Sequence, residues 1–274
     1  MKRKIGFILA LVLVSLLVVG TASAGLFDFL GGSPSSSGNN NSTFIVGFDA
    51  EFPPYGYQDD NGSYTGFDLD LAKEVCERNN WTFKAQPIDW DAKDAELESG
   101  SIDCIWNGFT IDGRENDYLW SNPYFDNKQI FVVKSDSGIN SIADLKGKTV
   151  ETQKDSSALA ALEGDNKTIA STFGTLNQVA DYNTAFMDLE SGACDAVAMD
   201  IGVAEYDISK KNDTSAYSIL EEAITTEKYG IGFKKGNDAL KDQVQSTLDE
   251  MFKDGTVLKI AQKYGISEDA LIQP

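Results

Sequence analysis

Two similar stretches, LESGSIDCI at residues 97–105 and LESGACDAV at residues 189–197, give the strongest indication of how this chain is built. In each copy the pattern predicts a helix that ends at a glycine, then an aspartate, then a buried strand. Glycine suits the end of a helix because it readily adopts the left-handed conformation found there. Two copies of one helix–strand unit in a chain of 274 residues predict two similar lobes.

Strand-like and helix-like segments alternate around the first copy of this repeat. Residues 44–46 are predicted to form a first strand, and a helix is predicted to begin at Asp68. Asp91 is expected to cap a short helix that ends at Gly100, and residues 102–106 are expected to form a short buried strand. Alternation of this kind is typical of an α/β domain with a mainly parallel sheet.

The N-terminal segment has the pattern of a secretory signal. Three basic residues at positions 2–4 precede an apolar run over residues 5–19, which is followed by Ala-Ser-Ala. We predict a signal peptide over residues 1–24. The apolar run is shorter than the about 20 residues of a membrane span, and an uncleaved anchor is the alternative. Residues 25–41 are rich in Gly, Ser and Asn and are predicted to form a flexible spacer.

Composition excludes several classes of function. A formal net charge of −20 disfavours nucleic acid as a partner, because the protein would repel the phosphate backbone. The chain has no histidine, which excludes His-based triads and HExxH zinc sites. Gly-Lys-Thr at 147–149 imitates the end of a phosphate-binding loop, but Ile142 stands where that loop requires glycine. Cys76, Cys104 and Cys194 are predicted to be buried free thiols. We therefore expect no metal and no cofactor.

A series of motifs carries a resemblance to a known family. GFDAEFPPY at 47–55 leads to GFDLDLA at 66–72, then DWD at 89–91, then GSID at 100–103, which runs into NGFT at 107–110. In order and spacing these motifs resemble the family 3 extracellular solute-binding proteins, the polar amino-acid receptors of ABC transporters. The resemblance runs from about residue 45 to about residue 264.

The resemblance implies a periplasmic-binding-protein-like α/β fold with two lobes that are joined by two crossover strands. Each lobe would contain a mainly parallel sheet flanked by helices. The first lobe would comprise residues 42–125 and 229–274, and the second lobe residues 126–228. The ligand would lie in the cleft between the lobes and would be buried by hinge closure.

The expected ligand, a free amino acid, carries a carboxylate, an ammonium group and a side chain, and all three must find partners once buried. The resemblance assigns the carboxylate to Arg114, whose planar guanidinium can bind it bidentately. Thr110 is expected to add a hydroxyl donor, and Gly108 a backbone carbonyl for the ammonium. Thr110 and Arg114 are four positions apart where the family commonly has five, so a shortened loop containing Gly113 must deliver the guanidinium.

The second lobe is expected to complete the site. Gln153 and Ser157 belong to a stretch that resembles the family's strand–turn–helix after the first crossover. Ser157 would lie at a helix N-terminus, where free N–H groups and the helix dipole attract a carboxylate. Asp200 matches the family's ammonium-binding carboxylate.

Three further residues are assigned to the side chain of the ligand. Phe52 and Trp90 match the aromatic pair that sandwiches it, and Asp49 would point at its far end. An acid in that place hints at a cationic or amide-bearing side chain.

These inferences predict an exported, periplasmic or cell-surface protein that captures a free polar amino acid and delivers it to the membrane subunits of an ABC transporter. We expect a monomer without enzymatic activity. Two alternatives remain open. A dehydratase-like enzyme of the same fold is disfavoured by Asp200, because a carboxylate at that position needs a cation. A ligand-sensing domain of a receptor system is compatible with the spacer.

Overall fold

The computed structural model describes residues 42–273. The predicted signal peptide and spacer lie outside the described residues. Within residues 42–273, none of the helices combines the length and the hydrophobicity that a membrane span requires.

The described chain alternates short strands and helices. The strands are, in chain order, β1 (Thr43–Phe48), β2 (Glu51–Phe52), β3 (Gly56–Gln58), β4 (Tyr64–Thr65), β5 (Thr82–Pro87), β6 (Cys104–Ile105), β7 (Leu119–Trp120), β8 (Phe125–Lys134), β9 (Thr149–Gln153), β10 (Thr175–Val179), β11 (Ala196–Asp200), β12 (Tyr217–Ile219), β13 (Thr225–Tyr229) and β14 (Gly232–Phe233). The α-helices are α1 (Phe67–Asn79), α2 (Lys93–Ser99), α3 (Ser157–Glu163), α4 (Lys167–Ala170), α5 (Tyr182–Ser191), α6 (Ile201–Ser209), α7 (Asp238–Lys253) and α8 (Thr256–Lys263).

The strands form two larger sheets and one small one. The first sheet has the order β5-β1-β6-β14-β7, and the second has β10-β9-β11-β8-β12 with β13 also paired to β8. Strands β2, β3 and β4 form a small antiparallel sheet. Two larger α/β sheets in one chain agree with the predicted two-lobed α/β architecture.

Strand pairing is mixed rather than mainly parallel. The strands linked by helices pair in parallel, as β1 does with β5 and β6, and β9 with β10 and β11. Strand β8 runs antiparallel to β11, β12 and β13, and β14 runs antiparallel to β6 and β7. Within the described chain no helix lies between β6 and β7 or between β13 and β14, so β7 and β14 are outside the helix-linked parallel series.

The internal repeat adopts the same structure in both copies. Helix α2 ends at Gly100 with φ of 78°, and α5 ends at Gly192 with φ of 82°. The aspartate that follows binds the backbone at the start of the neighbouring strand. The Ile45 amide donates to Asp103 Oδ2 over 2.7 Å, and the Thr149 amide donates to Asp195 Oδ2 over 2.8 Å. The repeated aspartates are therefore structural, and each ties the residue before its own strand to the neighbouring parallel strand.

Three predicted boundaries shift by a few residues. Helix α1 begins at Phe67 rather than Asp68, because Gly66 takes the position before the helix, where a Cβ would lie 2.2 Å from the Tyr55 carbonyl oxygen. Asp91 does not cap α2, because it already lies inside a 3₁₀ turn over Trp90–Ala92. The buried strand predicted at 102–106 is reduced to β6.

Strands β8 and β13 run side by side where the chain passes between the two larger sheets. Phe125, at the start of β8, pairs with Tyr229, at the end of β13. Their rings are stacked with centroids 5.4 Å apart, and the ring of Tyr55 packs edge-on against both. This aromatic cluster lies directly behind the site described below. The three cysteines are free and buried.

Candidate functional site

Most of the predicted site residues surround one pocket. Its cavity volume is about 20 Å³, so the lining residues are packed closely around it. Its lining comprises eight of the nine predicted residues, Phe52, Trp90, Gly108, Thr110, Arg114, Gln153, Ser157 and Asp200, together with Asn107 and Ser156. Segments that are far apart in the sequence therefore converge on one space.

A buried carboxylate holds the loop that carries Gly108. The Gly108 amide donates to Asp68 Oδ2 over 2.6 Å, and the Tyr124 hydroxyl donates to Asp68 Oδ1 over 2.8 Å. Burial raises the pKa of Asp68 to about 7. Gly108 has φ of 55°, and a Cβ at this position would lie 2.8 Å from the Phe52 ring, so a larger residue would strain the loop and crowd the pocket.

The shortened loop between Thr110 and Arg114 brings the guanidinium to the pocket. The Arg114 amide donates to the Ile111 carbonyl over 2.8 Å, and Gly113 provides the positive φ of 80° that this tight turn requires. The guanidinium lies over the Phe109 ring and donates to the backbone carbonyl of Asp155 over 3.0 Å. Arg114 forms no ion pair within the described chain. Its positive charge therefore remains available to an anionic ligand.

Asp200 presents a buried carboxylate on the other side of the pocket. Its Oδ1 atom accepts hydrogen bonds from Asn127 and Gln129, each over 2.7 Å, and from the Tyr229 hydroxyl over 2.6 Å. Its Oδ2 atom accepts no hydrogen bond within residues 42–273. Burial is the main cause that raises the pKa of Asp200 to about 7, and the negative charge of Glu227 is the second. A cation brought to Oδ2 would stabilise the ionised form.

The role predicted for the Thr110 hydroxyl is corrected by the structure. Thr110 Oγ1 donates to Glu227 Oε1 over 2.9 Å, and the Ser157 hydroxyl donates to Glu227 Oε2. Each hydroxyl has a single hydrogen, and both hydrogens are directed at Glu227. Toward the pocket the Thr110 oxygen therefore offers lone pairs, which suit an ammonium rather than a carboxylate.

Asp49 lies next to the pocket without lining it. Its Oδ2 atom accepts from Gln153 Nε2 over 2.6 Å, and its amide donates to Asn107 Oδ1 over 2.8 Å. Burial raises the pKa of Asp49, and the carboxylates of Asp181 and Asp89 raise it further. Asp49 therefore reaches the pocket through Gln153, in contrast to the direct ligand contact that was predicted.

The two predicted aromatic walls belong to separate clusters. Phe52 packs against Tyr182 with ring centroids 6.0 Å apart, and Trp90 packs edge-on against Phe109 at 5.5 Å. Both Phe52 and Trp90 line the pocket, whereas Phe109 is fully buried.

Comparison with known proteins identifies the family. The family model described as bacterial extracellular solute-binding proteins, family 3, matches residues 44–267. This chain belongs to that family. The match also confirms the predicted fold class and, at the level of the family, the predicted capture of amino acids for an ABC transporter.

Individual members of family 3 show how far the similarity extends. The L-cystine-binding protein TcyJ of Escherichia coli K12 is 31% identical over 225 residues, covering 81% of this chain and 82% of that protein. A histidine-bound substrate-binding protein of an ABC uptake transporter from Streptococcus pneumoniae has a TM-score of 0.79 at 34% identity, covering 84% of this chain and 97% of its own. An ancestral arginine-binding protein bound to glutamine has a TM-score of 0.73 at 37% identity, with coverages of 81% and 97%.

In this family 3 protein, sequence reasoning missed the polar residues behind the pocket. Asn127 and Gln129 on β8 each donate to both Asp200 and Glu227, over 2.7 and 2.8 Å. One signal could have found Glu227. It alternates with Tyr229 on β13, so both residues face the same side of the strand and are buried together.

Further contacts join the two sides of the cleft at its rim. Lys93, whose side chain is 2% exposed, forms an ion pair with Asp155, whose side chain is 50% exposed. Asn183 donates to Glu51 on the opposite rim. Together with the Gln153–Asp49 bond, these contacts describe a closed cleft.

Proposed function

We propose that this protein captures a free polar amino acid outside the cytoplasm, closes over it, and delivers it to the membrane subunits of an ABC transporter. One observation carries the proposal. Among residues 42–273, the pocket has an arginine without an acidic partner on one side and a buried carboxylate with an unused oxygen on the other. The two charges are complementary to the carboxylate and ammonium of an amino acid, which suits binding without a net buried charge.

The same geometry supports a binding pose. The ligand carboxylate would lie against the Arg114 guanidinium. The ammonium would donate to Asp200 Oδ2, the Thr110 hydroxyl oxygen and the Gly108 carbonyl. The side chain would extend between Phe52 and Trp90.

The side-chain end of the pocket favours a cationic or amide-bearing ligand. Asp49 approaches it through Gln153, and Glu51, Asp89 and Asp181 surround the adjoining cavity. Such an acidic environment attracts positive charge and amide hydrogens. The relatives that bind cystine, histidine and glutamine support a polar ligand.

We assign residues 42–125 and 229–274 to the first lobe and residues 126–228 to the second. This assignment follows the two larger sheets and the paired strands β8 and β13. The protein would act as an exported monomer, in the periplasm or at the cell surface, with residues 1–24 removed or retained as an anchor. It would bind its ligand without converting it, which separates it from the dehydratase-like alternative.

Calorimetric titration of the protein with each of the twenty amino acids tests the proposal. We expect micromolar or tighter binding of one or a few amino acids with polar side chains. The matched control is the α-hydroxy acid analogue of the best ligand, which lacks the ammonium and should bind at least about tenfold more weakly, since a lost charge-assisted hydrogen bond costs about 1.5–3 kcal/mol. Equal binding of the analogue would reject the role of Asp200 and favour the enzyme.

Small-angle scattering of Asp200→Asn tests the coupling to closure. Asparagine can still accept the three bonds made to Asp200 Oδ1, but it places an amide instead of a negative charge in the pocket. A ligand shifts a conformational equilibrium only through contacts that are better in one state. We expect saturating ligand to compact the wild type and to leave the variant largely unchanged. Full compaction of the variant would show that closure does not depend on the ammonium.

A further inference from the structure

Building on the proposed function, we propose that Glu227 is a positioning residue that makes the Thr110 hydroxyl an acceptor for the ligand ammonium, and that Glu227 and Asp200 together couple ammonium binding to the release of one proton.

Glu227 occupies the centre of a buried hydrogen-bond network. The residue is 5% exposed and projects from β13. Its Oε1 atom accepts from Thr110 over 2.9 Å and from Asn127 and Gln129 over 2.8 Å, and its Oε2 atom accepts from Ser157. Within the described residues, Glu227 is thus the acceptor on which the hydroxyl groups of Thr110 and Ser157 converge.

This network determines what the hydroxyl of Thr110 can do. A threonine hydroxyl has one hydrogen and two lone pairs. Because Glu227 takes the hydrogen, only the lone pairs remain for the pocket. An ammonium group has hydrogens and no lone pair, so the arrangement selects it over any neutral acceptor group. Glu227 itself does not line the pocket and acts through Thr110.

The two carboxylates share their hydrogen-bond donors. The side-chain amides of Asn127 and Gln129 each donate to both Asp200 Oδ1 and Glu227 Oε1. Burial and the repulsion between the two negative charges raise the pKa of Asp200, so Asp200 holds a proton below about pH 7 when no cation is present.

The other titratable groups around the pair do not neutralise it. The hydroxyl of Tyr229 donates to Asp200, and Tyr55 and Tyr182 lie nearby. Burial raises the pKa of all three tyrosines well above the ordinary value, which keeps them uncharged. Arg114 lines the same pocket, but its positive charge would be paired with the ligand carboxylate.

An arriving ammonium can replace the retained proton. The charge balance is simple, because the protonated pair plus the ligand cation becomes the ionised pair holding that cation plus one free proton. Burial and the negative charge of Glu227 raise the pKa of Asp200 to about 7, and a bound ammonium would lower it, so affinity should be full well above pH 7 and fall below pH 7 by up to about tenfold per pH unit.

Calorimetry of the full chain in buffers of different ionisation enthalpy measures the released proton. The probes are L-glutamine and L-arginine, whose side chains do not titrate between pH 5 and 8.5, together with the amino acid selected by the titration above. We expect release of about one proton per ligand at pH 6 and close to none at pH 8.5.

Two substitutions separate the charge of Glu227 from its role as an acceptor. Glu227→Gln keeps an oxygen for Thr110 but removes the charge, so the loss of affinity should move to lower pH. Glu227→Leu removes the acceptor as well and should weaken binding at pH 8 at least about tenfold. Glu221→Gln, at an exposed position just before β13, is the matched control and should change neither quantity.

The outcomes distinguish this inference from the function on which it rests. A Glu227→Gln pH profile that superimposes on the wild type, or a wild type that releases no proton at pH 6, would overturn the inference alone. Failure of the wild type to bind any amino acid at pH 8 would overturn the proposed function as well. If Glu227→Leu does not fold, the number of protons that Glu227→Gln releases at pH 6 tests the inference instead, and a number equal to that of the wild type would overturn it.

Discussion

Replacing Arg114 by alanine removes the positive charge on which the proposed ligand carboxylate depends. A bidentate pair would contribute two charge-assisted hydrogen bonds of about 1.5–3 kcal/mol each. Removing one partner of a desolvated charge pair costs about 2–5 kcal/mol. Because Arg114 is partly exposed, we expect the lower part of that range, about 2–4 kcal/mol. Calorimetry should therefore find binding about 30- to 700-fold weaker.

The fold should tolerate this change. In the part of the chain that the structure describes, Arg114 donates only to two backbone carbonyls, those of Thr110 over 3.4 Å and Asp155 over 3.0 Å. Partly exposed bonds of this kind contribute little, so the free energy of unfolding should fall by less than about 1 kcal/mol. Thermal unfolding of the ligand-free protein measures that difference.

Arg78 supplies the matched control. It is the other arginine of the described chain, and it forms ion pairs with Glu74 and Asp254, each over 2.8 Å. Arg78→Ala should leave affinity unchanged and cost at most about 1 kcal/mol of stability. Near wild-type affinity of Arg114→Ala, or an equal loss in both variants, would refute the assignment of the carboxylate to Arg114.

Three further predictions follow from the rim, the buried acids and the N-terminus. Asp155→Ala removes the partner of a buried lysine at the rim of the closed cleft, so saturating ligand should compact the variant less than the wild type in scattering. Asp68 and Asp200 have folded-state pKa values of about 7, above their unfolded values, so unfolding releases protons between pH 4 and 7. The free energy of unfolding without ligand should therefore fall as pH rises through that range, and Asp68→Asn should flatten the fall in denaturant titrations. N-terminal sequencing of the exported protein should find residues 1–24 missing.

The features that sequence reasoning predicted are those written in local patterns. The internal repeat is one example. Each copy has a glycine that ends a helix (α2 or α5) and an aspartate that precedes a strand, and both features depend on only a few neighbouring residues. The motifs between residues 45 and 110 likewise allowed the resemblance to the family to be recognised from short stretches of sequence. The sequence also predicted that Thr110 and Arg114 lie at one pocket, because Gly113 allows the short loop between them to turn.

The acid network behind the pocket depended on the tertiary structure. Glu227 stands 117 residues from Thr110 and 70 from Ser157, and both hydrogen bonds exist only because β13 returns beside β8. A single sequence shows that a hydroxyl is present but not which acceptor takes its hydrogen, because that acceptor comes from another strand. The direction of the Thr110 hydroxyl, the raised pKa of Asp200 and the indirect position of Asp49 all arise from such distant contacts, since burial and neighbouring charge are properties of the folded chain.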